Sequence, residues 1–147
     1  MLTEYLTPDR IRVHVAVDDW EEAVRTAGSL LLEAGTCEPR YIDAMINAVH
    51  EMGPYMVLAP GLALAHARPE DGVTDVGMSL ITLDPPVDFG AEGKDPISLV
   101  IAFGAVDKEK HLDMLQALAL FLDDPVRRQR LAEAASVDNI LSLIENA

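Results

Sequence analysis

Residues 53–73 read GPYMVLAPGLALAHARPEDGV. Two short apolar runs, MVL at 56–58 and LALAHA at 62–67, are parted by Pro60-Gly61, with Gly53-Pro54 before them and Arg68-Pro69 after. Runs this short, closed off by turn residues, read as strands. VGMSLITL (76–83) and ISLVIAF (97–103) have the same character. Near-continuous apolar sequence of this kind belongs to strands buried on both faces.

Outward from this centre the pattern changes. IRVHVAV (11–17) is β-branched at alternate positions and reads as one more strand. Asp18, with Glu21 three positions on, is spaced as a capping box for a helix that Gly35 stops. A second helix is expected from Pro39 to Glu51, ended by Gly53-Pro54. After the strands, helical spacing resumes at Asp107 and runs through Leu122. Asp124-Pro125 starts a short helix at Val126 to Ala134, and Ser136 caps a last one to Ile144. Asp84-Pro85-Pro86 reads as a turn, and Arg127, Arg128 and Arg130 as a solvated helix face. The order strand, two helices, four strands, three helices implies an α/β fold. A mixed central β-sheet carries helices on both faces, in one domain spanning residues 1–147.

The chain has 147 residues, 11 Lys and Arg against 25 Asp and Glu, and a formal net charge of −14. So acidic a protein is poorly suited to neutralise phosphates non-specifically, which argues against nucleic acid as a partner. Docking on anionic lipid is disfavoured for the same reason. Half the residues are apolar, which excludes disorder as the default. The single cysteine, Cys37, cannot form an internal disulfide, and this suits a reducing compartment. MLTEYLTPDR lacks a basic segment followed by an apolar one, so no signal peptide is expected. The longest apolar stretch, Leu99 to Val106, falls far short of the about 20 residues a membrane helix needs. The chain is read as cytoplasmic.

No zinc spacing, GxSxG, P-loop or GxGxxG occurs, and neither a metal nor a cofactor is expected. Of the four histidines, His66 stands out. It ends a strand of small apolar residues, and alanines on either side leave the imidazole open to a partner. The plainer reading, a strand-end histidine bonded to a loop, is the one that spacing alone favours. His111 opens a helix behind DKEK, where a helix N-terminus favours neutral imidazole and attracts anions. Spacing alone again favours the plainer reading, a solvated first-turn histidine. His14 and His50 are read as structural or solvent-facing. Cys37, beside Glu38 and with no basic neighbour, is not expected to be reactive.

The segment 53–73 resembles the phosphorylated-histidine region of IIA components of sugar phosphotransferase systems, in the mannitol/fructose class. Its lead-in, GPYMVLAPGLA, and its tail, RPEDGV, are most like the ascorbate-type branch. EPRYIDAMINAV (38–49) resembles the helix that precedes the site in that family. HLDMLQALALFLDD (111–124) is similar to the helix that begins with the family's second histidine, and SVDNILSLIENA resembles its closing helix.

The resemblance implies that His66 is the phosphoryl acceptor and His111 an auxiliary histidine. It also implies a donor, the carrier protein HPr, and a recipient cysteine on a IIB component. A IIC membrane permease then moves the sugar. Two departures stand out. Ala65 occupies the position before the acceptor, where proline is common, and residues 41–65 contain no Arg or Lys where many relatives carry an arginine. Arg68 is expected to supply that positive charge, with His50 the other basic candidate. Neutral imidazole with Nδ1–H tied to a carbonyl would leave Nε2 as the nucleophile. Ala63, Ala65, Ala67, Leu62 and Leu64 are expected to rim and back a shallow depression around it. The alternative is a regulatory relative that acts by phosphorylation-dependent binding to partner proteins. A third reading is an α/β domain without chemistry. The sugar and a homodimer both stay open.

Overall fold

The computed structural model describes residues 2–146. The strands are β1 (Ile11–Val15), β2 (Val57–Ala59), β3 (Leu62–Ala65), β4 (Gly77–Val87) and β5 (Ile97–Gly104). The helices are α1 (Trp20–Glu33), α2 (Pro39–Met52), α3 (Lys108–Leu122), α4 (Pro125–Glu133) and α5 (Val137–Glu145). Short 3-10 turns lie at Leu2–Glu4, Pro8–Arg10 and Pro69–Asp71. The sheet order is β1-β4-β5-β3-β2. β1 runs parallel to β4 and β3 to β5, while β4–β5 and β2–β3 are antiparallel. The sheet is therefore mixed, as the sequence predicts.

The central strands are buried on both faces because their side chains alternate between two cores. Ala63, Ala65, Ile81, Val100 and Ala102 pack with residues of α1 and α2. Leu62, Leu64, Leu80, Leu99, Ile101 and Phe103 pack with α3, α4 and α5 on the opposite face. β3 and β5 are paired in register from Leu62–Leu99 to Ala65–Ala102, so their carboxyl ends lie side by side. In an α/β sheet such an end is where ligands bind.

Several local expectations need correction. The cap that starts α1 is Asp19, one residue later than expected. Asp19 Oδ1 accepts from Glu22 N–H, and Glu22 Oε2 takes Asp18 N–H at 2.8 Å. The first strand stops at Val15, and within it the register against β4 shifts between Arg12 and Val15, where His14 adopts a φ of 55°. Asp84-Pro85-Pro86 is an exposed part of β4 and not a turn. Proline is tolerated there because the ladder to β5 is interrupted between Thr82 and Val87, where no amide donor is needed. Nor is the arginine cluster merely a solvated face. Arg127 and Arg128 donate to the carbonyls of Phe121 and Leu122 at 2.7 and 2.6 Å, satisfying the open end of α3. Only Arg130 of the three is exposed.

Candidate functional site

His66 follows the last residue of β3, and its strand neighbour β5 ends at Phe103-Gly104. From there the chain turns once and enters α3, whose N-cap Asp107 accepts from Lys110 N–H. His111 therefore sits in the first turn of a helix that begins beside His66. The two imidazoles lie with centroids 5.5 Å apart. Phe103, fully buried, underlies both: its ring stacks on His66 at 5.1 Å and tilts against His111 at 5.4 Å. Tyr55 closes the fourth side with an edge contact to His66 at 5.5 Å.

The ring of His66 has a fixed orientation. Nδ1 lies 2.8 Å from the Leu64 carbonyl, an arrangement in which Nδ1–H donates and Nε2 keeps its lone pair. Burial lowers the pKa of His66, with His111 adding to the effect against the opposing influence of the Leu64 carbonyl. Burial alone lowers that of His111. Both rings are held towards the neutral form. Nδ1 of His111 is buried with no hydrogen-bond partner. A polar atom left in that state marks a place where a ligand can complete the bonding.

The two histidines share an open cleft of about 1210 Å³. Its walls come from α2 (Ala44, Asn47, Ala48, Glu51, Met52), from the Ala67–Asp71 segment, and from Val106 to Lys108 at the mouth of α3. The apolar rim is thus Ala44, Ala48, Met52 and Val106 with Ala67. The expected Leu62, Ala63, Leu64 and Ala65 are instead core residues of β3, because that strand is covered on both faces.

Arg68 does line the cleft, but its guanidinium pairs with Asp71 at 3.4 Å through both Nε and Nη2. Asp71 also accepts the Arg68 amide at 3.0 Å. His50 faces elsewhere: Nε2 meets Glu21 at 2.6 Å and its ring lies against Trp20, so it supplies no charge to the cleft. Arg40, at the start of α2, is used to hold the Glu70 carbonyl at 3.0 Å. Four carboxylates (Glu51, Glu70, Asp71, Asp107) line the cleft against Arg68 and Lys108. Cys37 is buried elsewhere, and desolvation with Glu38 pushes its thiol up to about 11.

Tyr41, Tyr55 and Phe103 were given no role in the sequence. The signal was present for the tyrosines, since a tyrosine among apolar residues needs a partner for its hydroxyl. Among the described residues no group of three His, Cys, Asp or Glu side chains could hold a metal ion. No helix there is long and apolar enough to cross a membrane.

Comparison with known proteins agrees with this geometry. The family described as phosphoenolpyruvate-dependent sugar phosphotransferase system, EIIA 2, matches residues 4–147. The ascorbate-specific EIIA component of Salmonella choleraesuis is 39% identical over 137 residues, covering 92% of this chain and 88% of the relative. The mannitol-specific cryptic phosphotransferase enzyme IIA of Escherichia coli superposes with a TM-score of 0.91 at 34% identity, over 99% of both chains. Enzyme IIA for mannitol from Escherichia coli, solved in complex with phosphorylated enzyme IIB, gives 0.83 at 31% identity, over 95% and 96%. A match of this extent, on a fold that brings His66 and His111 together, makes the chain a member of the EIIA 2 family of the sugar phosphotransferase system and a phosphotransfer protein.

Proposed function

We propose that His66 Nε2 accepts a phosphoryl group from the phosphohistidine of HPr and passes it to a cysteine of a IIB component, for uptake of ascorbate or a related sugar or polyol through a IIC permease. The observation that carries this reading is the 2.8 Å contact of His66 Nδ1 with the Leu64 carbonyl, with the His111 ring 5.5 Å away. The Nε2 lone pair attacks phosphorus as the donor's N–P bond breaks. The Nδ1 proton stays in place, and the Leu64 carbonyl stabilises the positive charge that develops on the ring. In the second transfer the cysteine thiolate attacks, an S–P bond forms, and the N–P bond breaks to regenerate neutral imidazole. The transition state is loose, so the site's work is alignment and charge stabilisation on three equatorial oxygens. The unpartnered His111 Nδ1, the first turn of α3, and Arg68 once released from Asp71 are the donors.

Both partners must reach one histidine in turn. Met52 (65% exposed) and Val106 (47%) line the cleft, with exposed Leu112 next to His111 in the chain, and offer them an apolar landing surface. The complex solved for the mannitol relative, and 39% identity to ascorbate-specific components, support IIB as recipient and the ascorbate-type branch. On this reading the protein works in the cytoplasm, alongside those partners. Incubation with phosphoenolpyruvate, enzyme I and HPr should give an acid-labile adduct of roughly 80 Da. His66→Ala should abolish it, and a retained adduct in that variant would sink the assignment.

A further inference from the structure

An imidazole is aimed by its main chain as well as by its ring nitrogen. β3 ends at Ala65, so the peptide joining His66 to Ala67 has left the sheet ladder. Both of its polar groups are nonetheless taken, and by tyrosine hydroxyls. Tyr55 Oη donates to the His66 carbonyl at 2.8 Å. From the other side, the Ala67 amide donates to Tyr41 Oη at 3.0 Å, and that hydroxyl donates onward to the Phe103 carbonyl at 2.8 Å. A planar trans peptide presents these two groups on opposite edges, so holding both stops the plane from rotating.

The two tyrosines do different work. Tyr41 is fully buried and links the His66–Ala67 peptide to the residue whose ring is the platform under both imidazoles. It thereby sets the acceptor against its platform. Tyr55 is half-buried, lines the cleft and meets the His66 ring edge-on. It is the member of the pair that a docking partner can reach.

We propose that Tyr55 and Tyr41 are positioning residues for phosphoryl transfer, clamping the His66–Ala67 peptide so that Nε2 meets the incoming phosphorus along one line. The inference rests on His66 being the acceptor. Displacement in line is steeply sensitive to such alignment, while a Tyr→Phe change removes only a hydroxyl and leaves the apolar rim in place. Removing a clamp therefore acts on kcat and spares KM.

The test uses Tyr55→Phe and Tyr41→Phe in the full chain, with Ile140→Val in α5, which packs near β1 and does not line the cleft, as a control for lost stability. Two quantities are read: the kcat and KM of phosphorylation by phospho-HPr, and the ¹⁵N shifts of the His66 ring without phosphate, which report its tautomer. Tyr55→Phe should lower kcat about 10-fold at unchanged KM, with a larger Nε2–H share at His66. Ile140→Val should leave both at wild-type values. Should Tyr41→Phe fail to fold, Tyr55→Phe decides alone. Wild-type kcat and tautomer in Tyr55→Phe would overturn the inference while leaving the acceptor assignment standing. A wild-type chain that takes no phosphate would overturn both.

Discussion

The Nδ1 atom of His66 lies 2.8 Å from the carbonyl oxygen of Leu64, two residues back along the same chain. The bond is local, yet it decides the chemistry of the ring, since the nitrogen that donates here is not free to attack. Phosphate should therefore appear on Nε2 alone. The measurement is ¹⁵N–³¹P coupling in the phosphorylated protein. Coupling to Nδ1 would show that the bond to Leu64 opens before transfer.

His111→Ala should still accept phosphate but transfer it on the order of 100-fold more slowly, the scale of losing one preorganised donor. Rapid-quench transfer to a IIB component reads this directly. Unchanged rates would remove His111 from the site.

Acid should act on stability and activity together. Burial holds both site histidines below their ordinary 6.5 in the fold. Just below that value the unfolded chain binds more protons than the native one, so stability rises with pH in this window. The contribution is fully present above 6.5 and is lost as pH falls through the folded values. Denaturant melts between about pH 7 and pH 5 should show this slope, and His66→Gln should flatten it. The transfer rate should stay level down to the same window before falling.

Arg68 is tied to Asp71 by contacts of 3.4 Å, with 75% of its side chain exposed. Asp71→Asn keeps an oxygen for the Arg68 amide but weakens the hold on the guanidinium. The phosphorylated form should then hydrolyse more slowly, and that of Arg68→Ala faster. Equal lifetimes in both variants would show that Arg68 never reaches the phosphoryl group.

Gly77 begins β4 against buried Thr36, and a Cβ there would lie 2.7 Å from Thr36 Cβ. Gly77→Ala should cost about 1–3 kcal/mol of stability through overpacking. Thermal unfolding would show it as a drop of roughly 2–4 °C per kcal/mol. An unchanged midpoint would mean that the Thr36 loop yields freely.

Legibility followed the range of the interactions. Ser136 caps α5 through Asn139 N–H, and Gly53 ends α2 with a φ of 80°; both are local and both were readable from residue type. The misreadings arose where a distant partner intervened. Asp84-Pro85-Pro86 has turn composition, but the break in pairing with β5 lets it stay extended. Arg127 and Arg128 have the spacing of a solvated face until the end of α3 is seen beneath them. Leu62 to Ala65 look available as a rim until helices cover both sides of β3.

The sequence by itself determined the succession of strands and helices, since apolar period and capping residues act over a few positions. Together with a family resemblance it also singled out His66 and His111. Only the tertiary structure decided the order β1-β4-β5-β3-β2, which sets the ends of β3 and β5 together and seats both histidines on Phe103. The same packing removed His50 from the cleft, bound Arg68 to Asp71, and brought two tyrosine hydroxyls to one peptide. Each of these relationships joins side chains to partners that only packing brings near, and no local pattern encodes such a meeting.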